Sequence, residues 1–206
     1  MIMNKKTSKP KIKAVIFDLG GVVMSGGYLP FIHHYCLECV TKEGKVQIKQ
    51  LEHQVNLGKI TEFQFYRAIN KIFHVQVTPQ KIHKLIIHKM RANKHLLKFL
   101  PKLKPARVVL FSNSIGNMAR EVLKHRRVPT KRLFDKIFFS NKIHLAKPDK
   151  HAYKFIIKKL KIKPNQTLLV DDREDNILPA QNLGMHGIVF KNVRQFRSQL
   201  RKYELV

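Results

Sequence analysis

The stretch Lys13-Ala14-Val15-Ile16-Phe17-Asp18-Leu19-Gly20-Gly21 determines how the rest of this 206-residue chain is interpreted. Its apolar first half predicts a short buried strand, and the glycine pair at its end predicts a break into a loop. Asp18 therefore stands where a strand gives way to a flexible loop. This is a suitable place for a carboxylate that attacks an electrophile.

Strand and helix signals alternate through the second half of the chain. Four more apolar runs predict strands, at 107–111, 136–140, 167–170 and 187–190. Helical patterns accompany them, at about 115–125, from the Asp149 N-cap to about 160, up to about 183 before Gly184, and at 193–203. The alternation predicts an α/β fold, in which a Rossmann-like parallel sheet carries helices on both faces.

The segment after the first strand differs, because residues 29–100 show no strong strand signal. Helical patterns occupy it instead, over 31–40, around Ile48, Leu51 and Val55, over 61–73 with Thr61 as N-cap, and from Thr78-Pro79 onward. We therefore expect a small helical lobe inserted into the sheet domain. The expected division is a basic tail at 1–11, a sheet core at 12–27 and 101–206, and the insert at 28–100.

Polar side chains follow three of the predicted strands at their carboxyl ends: Asp18, Ser112 and the pair Asp171-Asp172. Ligands of open α/β sheets bind outside these ends, so the fold would bring the side chains together. Neighbouring carboxylates repel each other and favour a hard cation such as Mg²⁺. Each residue could instead cap a helix or a turn, since Asp and Ser are common there. Their convergence favours a functional site.

Ser112, Asn113 and Lys147 add the other groups that phosphoryl transfer needs. Ser112 offers a hydroxyl, and Asn113 offers an amide or a backbone N–H. Lys147 supplies a positive charge and is followed by the stiff Pro148. Because no His or Cys nucleophile accompanies this set, the carboxylates carry the expected chemistry.

Taken in order, these blocks resemble the haloacid dehalogenase (HAD) superfamily. The blocks are Asp18-Leu19-Gly20-Gly21-Val22, Ser112-Asn113, Lys147-Pro148 and Asp171-Asp172, and they fall in the family's order and spacing. The helical insert resembles the α-helical cap of the subfamily that contains small-molecule phosphatases. Within it, the chain looks most like the branch of sugar-1-phosphate phosphatases and the phosphatase domain of bifunctional epoxide hydrolases.

The resemblance implies a Mg²⁺-dependent phosphatase that acts on a small phosphorylated metabolite such as a sugar phosphate. It implies that Asp18 is the nucleophile and forms an aspartyl-phosphate, while Ser112 and Lys147 complete the catalytic set. The implied phosphate-binding residues are Gly20, Gly21, Ser112, Asn113 and Lys147. The implied magnesium residues are Asp18, Asp172 and the Gly20 carbonyl, with Asp171 and Asn176 completing or orienting that shell.

Gly20 departs from the family pattern, in which a second Asp at this position acts as general acid and base. Glycine cannot protonate a leaving group, and such help is typically worth about 10²–10⁴-fold in rate. Three interpretations stay open. The substrate has a good leaving group, or an insert residue supplies the proton, with His33, His34 and Glu38 as candidates, or the protein binds phosphorylated ligands without efficient turnover.

The charge of the chain is the other unusual feature, with 41 Lys and Arg against 13 Asp and Glu and a formal charge of +28. Such an excess of positive charge attracts polyanions, and this attraction weakens as the salt concentration rises. The basic residues are scattered, however, and no RRM, KH or zinc-finger signature accompanies them. The alternatives are a solvated basic surface on an enzyme, and a weakly catalytic HAD-like scaffold that binds nucleic acid or another polyanion.

Composition also bounds the protein class. A hydrophobic content of 44% argues against a disordered chain, and no apolar run approaches the roughly 18–20 residues that span a bilayer. The basic N-terminus lacks the apolar segment of a signal peptide. The only cysteines, Cys36 and Cys39, exclude a disulfide framework, and without a second metal-binding pair we expect them to pack in the insert. The expected location is therefore cytoplasmic.

Overall fold

The computed structural model describes residues 11–25, 41–74, 76–203 and 205. Its strands are β1 Ala14–Phe17, β2 Met24–Ser25, β3 Arg91–Ala92, β4 Arg107–Ser112, β5 Lys136–Phe139, β6 Thr167–Asp171 and β7 His186–Val189. Five of them form a parallel sheet in the order β5-β4-β1-β6-β7. The predicted Rossmann-like α/β fold is confirmed.

Ten helices are described: α1 Lys42–Asn56, α2 Glu62–Phe73, α3 Pro79–Lys89, α4 Lys94–Phe99, α5 Met118–His125, α6 Thr130–Leu133, α7 Ser140–Ile143, α8 Lys150–Leu160, α9 Glu174–Gln181 and α10 Val193–Leu200. Short 3₁₀ turns occupy Leu100–Leu103 and Pro164–Gln166. None of the helices in the described ranges has the length and apolar character that crossing a membrane requires.

Strand β1 is buried on both faces of the sheet, which explains its unbroken apolar run. Val15 and Phe17 point into one apolar cluster, and Ala14 and Ile16 point into the other. Helices α4, α5 and α10 contribute to the first cluster, and α8 and α9 contribute to the second. The two-residue period of a strand thus supplies a core to each layer of helices.

The segment 42–89 forms three helices, as its periodicity predicts. Thr61 caps α2 in a reciprocal capping box with Gln64, and Thr78 caps α3 with Pro79 at its first position. Buried side chains of all three helices join the first apolar cluster of the sheet, among them Ile48, Phe65 and Ile82. The helical segment and the sheet therefore share a continuous apolar core.

The structure also departs from the sequence expectations. Residues 29–100 contain a strand after all, because β3 pairs antiparallel with β2 through two residues each. A strand this short leaves no readable alternation in the sequence. The predicted helix over 31–40 lies outside the described residues, as do the candidates His33, His34, Glu38, Cys36 and Cys39.

Several element ends shift by a few residues for local reasons. The strand predicted to reach Ser140 stops at Phe139, because Ser140 opens α7 and its hydroxyl accepts a hydrogen bond from the Ser114 N–H. The helix predicted from about 115 begins at Met118, after Gly116 at φ +52°. The helix predicted to reach 183 ends at Gln181, and the last helix ends at Leu200.

Helix α3 is tied to the sheet domain by polar contacts at two levels. At its C-terminus, the Arg126 guanidinium donates to the carbonyls of Ile87, His88 and Met90. One turn from its start, the His83 ring lies between Glu62 of α2 and Glu121 of α5, with Nε2 2.8 Å from Glu121 Oε2. Burial by itself would lower the pKa of His83, but the two carboxylates outweigh it and raise this pKa above its ordinary 6.5.

The raised pKa predicts a pH-dependent contribution of His83 to stability. The contribution is present in full below about pH 6.5 and disappears as pH rises through the folded-state pKa, because the imidazolium loses its charge. His83→Gln should lower the free energy of unfolding by on the order of 1 kcal/mol at about pH 6 and by less at about pH 9. Urea unfolding at both pH values measures this.

His151→Gln is the matched control for that measurement. It removes a histidine that also pairs with a carboxylate, that of Asp149, but both side chains of this pair are exposed. We expect little change at either pH. A loss in His83→Gln that is the same at both pH values would contradict a role for the charged ring.

Candidate active site

The carboxyl ends of β4, β1 and β6 lie side by side and bring the predicted polar residues together. Ser112 is the last residue of β4, Asp18 follows β1, and Asp171 is the last residue of β6, with Asp172 next to it. Since β1 pairs with β4 on one side and with β6 on the other, three distant parts of the chain meet at one edge.

Lys147 is the centre of this cluster. Its Nζ lies 2.7 Å from Asp18 Oδ1 and 2.6 Å from Asp171 Oδ2, and it stands 5.4 Å from the centre of the Phe111 ring. The side chain is 1% exposed, so the ammonium group has almost no contact with water. Burial would lower the pKa of Lys147, but the charges of Asp18 and Asp171 outweigh it and raise that pKa well above its usual value.

Asn113 holds Lys147 in place through its side chain. Asn113 Oδ1 accepts from the Lys147 N–H at 2.9 Å, and Asn113 Nδ2 donates to the Lys147 carbonyl at 2.8 Å. The amide that the sequence offered as a phosphate donor is thus committed to the backbone of another site residue. What Asn113 retains for an incoming ligand is its backbone N–H.

Asp171 is saturated by protein groups. Oδ1 accepts from the Arg173 N–H at 3.0 Å and from Asn176 Nδ2 at 2.9 Å, while Oδ2 accepts from Lys147. Asn176 is itself fixed, because its carbonyl accepts from the Tyr153 hydroxyl at 2.8 Å. The geometry therefore gives Asp171 and Asn176 an orienting position behind the site.

Asp18, Asp171 and Asp172 place carboxylate oxygens within 4.8 Å of one another. Oxygen donors this close fit a hard cation such as Mg²⁺, and the saturation of Asp171 leaves Asp18 and Asp172 as the better direct ligands. Gly21 makes room for Asp172: its φ is +70°, and a Cβ there would lie 2.2 Å from Asp172 Oδ2. The chemistry of this donor set matches the magnesium site expected from the sequence.

Burial shapes the protonation of the two outer carboxyl groups. It raises the pKa of Asp18 to about 7, an effect that the Lys147 charge opposes and the Asp171 charge reinforces. Burial and the charge of Asp171 also raise the pKa of Asp172. Without a cation, both groups therefore hold a proton more readily than an ordinary aspartate.

The Ser112 loop presents two hydroxyls near this edge. The Ser112 hydroxyl donates to the Asn113 carbonyl at 3.1 Å, and the side chain is almost wholly buried. Ser114, which the sequence analysis did not single out, has a buried hydroxyl without a hydrogen-bond partner in the described part of the chain. A buried hydroxyl left unbonded carries a desolvation cost, which a ligand oxygen would relieve.

Glu52 of α1 is a second residue that the sequence analysis missed. Its pKa is raised by burial, against the opposing charge of Arg173, the neighbour of Asp172. The charge of Arg173 therefore acts on α1. The signal was present in the sequence, since Glu52 shares a helix face with the buried Ile48 and Val55, where a carboxylate is unusual.

The raised pKa of Asp18 predicts that magnesium binding depends on pH. Because Asp18 must lose its proton to bind a cation, affinity should rise by about tenfold between about pH 6 and about pH 8, with proton release on the acid side. Titration calorimetry with MgCl₂ in buffers of different ionisation enthalpy measures both quantities. Asp18→Asn should lose this rise, and an equal affinity of the wild type at both pH values would contradict the assignment.

Comparison with known proteins places this site in a family. A family model described as haloacid dehalogenase-like hydrolase matches residues 12–184, most of the chain and all of the clustered residues. The chain is 34% identical to bifunctional epoxide hydrolase 2 of Rattus norvegicus over 87 residues. These residues are 42% of this chain and 15% of that protein. The chain thus spans a small part of this relative.

Two further similarities extend over nearly the whole chain. A phosphorylated carbohydrates phosphatase of Thermotoga maritima is 23% identical over 185 residues, which are 86% of this chain and 84% of that protein. A HAD family enzyme of Bacteroides thetaiotaomicron, solved in complex with magnesium and inorganic phosphate, superposes with a TM-score of 0.69 at 24% identity, covering 87% and 94% of the two chains. With fold, acidic cluster and family match in agreement, this chain belongs to the haloacid dehalogenase-like hydrolases.

Proposed function

We propose that the protein is a Mg²⁺-dependent phosphatase that acts on a small phosphorylated metabolite, such as a sugar phosphate, through an aspartyl-phosphate on Asp18. The observation that carries the proposal is the position of the Asp18 carboxylate. It stands at the end of the central strand, 2.7 Å from the buried Lys147 ammonium and beside Asp172. The relatives that act on phosphorylated compounds support this reaction type.

In this mechanism the protein groups divide the work. An Asp18 oxygen attacks the phosphorus, the bond to the leaving oxygen breaks, and water later hydrolyses the aspartyl-phosphate. Lys147 holds Asp18 in line and offsets its charge. Ser112 and the Asn113 backbone N–H would bind the phosphoryl oxygens. Asp18, Asp172 and the Gly20 carbonyl would hold Mg²⁺, which neutralises phosphoryl charge when bound.

The proton for the leaving group needs another source, since Gly20 has no side chain. Glu52 is our candidate among the described carboxyl groups, because burial raises its pKa and the charge of Arg173, the residue after Asp172, acts on it. A carboxyl group that keeps its proton nearer to neutral pH can donate it to a departing alkoxide. His33, His34 and Glu38 stay candidates from the sequence.

Asp18→Asn tests the nucleophile. The amide cannot form the acyl-phosphate, so Mg²⁺-dependent phosphate release should fall by about 10³-fold or more. Phosphate release from sugar phosphates, nucleotides and acyl phosphates, with and without Mg²⁺, measures this. Circular dichroism of the variant checks the fold. Retained activity in a folded variant would sink the proposed mechanism.

Substrates of different leaving-group quality test the source of the proton. If Glu52 is the acid, Glu52→Gln should slow the release of phosphate from alkyl phosphates by about 10²-fold and leave acyl phosphates nearly unchanged, because an acyl leaving group needs no proton. Glu43→Gln, an exposed substitution in the first turn of the same helix, is the matched control. Equal slowing on both substrate classes would speak against an acid role.

A second candidate function follows from Gly20 and the +28 charge. In it, a weakly catalytic HAD-like scaffold uses its basic surface to bind nucleic acid or another polyanion. Retention on heparin above physiological salt, together with no Mg²⁺-dependent phosphate release above the Asp18→Asn level, would favour this function. Elution well below physiological salt would count against it.

A further inference from the structure

A cleft of about 680 Å³ lies along the outer edge of the sheet, and none of the three aspartates of the acidic cluster lines it. Strand β5 forms one wall, and α5, the loop after it, the first residue of α6 and α7 form the rest. None of the residues around Asp18 and Lys147 lines it. Its size falls within the range of about 300–1,000 Å³ that is common for small-molecule sites.

The floor of this edge cleft is apolar. Three consecutive residues of β5 line it, and because their side chains alternate between the faces of the sheet, the cleft must follow the free edge of the strand. These side chains and Ile143 are half-buried, and Ile137 and Phe139 pack against the apolar cluster that contains the buried Leu123 and Val128. The apolar lining residues are Leu123, Val128, Ile137, Phe138, Phe139 and Ile143.

The rim of the edge cleft is cationic and carries no carboxylate. Its charged residues are Arg120, Lys124, Arg127 and Lys142, four of the eleven lining residues, in a chain where about one residue in five is basic. All four side chains are exposed, and none forms an ion pair with a carboxylate in the described ranges. Their charge is therefore available to an external anion.

Arg127 is the cationic lining residue with an unusual backbone conformation. Arg126 and Arg127 are neighbours, yet Arg126 is used up by three carbonyls at the end of α3, while Arg127 lines the cleft. Arg127 adopts φ +51°, a conformation that favours glycine and costs a side chain energy. A basic side chain therefore stands at the mouth of an apolar cleft, at a position whose positive φ disfavours any side chain.

We propose that the edge cleft binds a small amphipathic anion, a carboxylate or phosphate head on an apolar chain. The head contacts the cationic rim, and the chain covers the half-buried side chains of β5 and Ile143. A single molecule is the occupant, because the surface is concave and of small-molecule size, whereas a membrane would require a flat or convex basic face. Removing one basic side chain of the rim should therefore weaken binding of the anionic head, while the contacts of the apolar chain with β5 and Ile143 remain.

Dodecanoate, used below its micelle concentration, is the probe, and its binding is followed by calorimetry and by amide shifts of β5 and α5 in NMR spectra. Arg127→Gly removes the guanidinium and at the same time suits the positive φ, so the fold is not endangered. We expect Arg127→Gly and Lys124→Gln each to weaken binding by about tenfold. Phosphate release by the catalytic site should not change.

Lys161→Gly is the matched control, because Lys161 is another basic residue at φ +52°, at the end of α8 and outside the cleft. It should leave dodecanoate binding unchanged. Dodecyltrimethylammonium, with the same chain and the opposite charge, should bind at least about tenfold more weakly. Equal losses in Arg127→Gly and Lys161→Gly would reduce the effect to general attraction by the +28 charge and overturn the proposal. Binding of anionic vesicles without binding of monomeric dodecanoate would overturn it in favour of a membrane surface.

Discussion

The buried contact between Lys147 and the two carboxylates of Asp18 and Asp171 is the constraint on which the rest of the structure depends. An ammonium group removed from water is tolerated only when opposite charges surround it. The neighbouring positions of β1 and β6 supply those charges from segments about 150 residues apart in the chain. Asn113 follows β4, which pairs with β1 on the side opposite β6. Its side chain fixes the backbone of Lys147. Removal of Lys147 would leave the two carboxylates beside each other without their counter-charge.

The fold was predictable because its determinants are local. Five short apolar runs, each followed by a polar residue or a glycine, identify the parallel strands, and the capping residues Thr61 and Thr78 identify two helix starts. The order of the strands in the sheet depends on which strands pair with each other, and these pairings cannot be inferred from a single sequence. The two-residue pairing of β2 with β3 was missed, since it depends on the meeting of distant segments and each strand is too short to show an alternating pattern.

The residues that form the site were predictable from the sequence, but the contacts that each of them makes there were not. Asp18, Ser112, Lys147, Asp171 and Asp172 could be selected by type and position. That Asp171 is saturated, and that the Asn113 amide binds the Lys147 backbone, depends on rotamers set by packing. Glu52 was overlooked because the helical segment was considered only for its apolar pattern. The carboxylate of Glu52, on the same helix face as the apolar residues, was the informative feature.

The charge of the site has a consequence for the sequence of events during binding. Around one lysine stand three aspartates, so the deprotonated cluster is net negative, although the surface of the protein is strongly positive. At long range the net positive charge would attract an anion, and at short range the carboxylates would repel it. One lysine and three deprotonated aspartates sum to a charge of −2, so a divalent cation bound first would cancel this charge and allow an anionic molecule to follow. The same fields oppose the reverse order, in which the anion would meet uncompensated carboxylates.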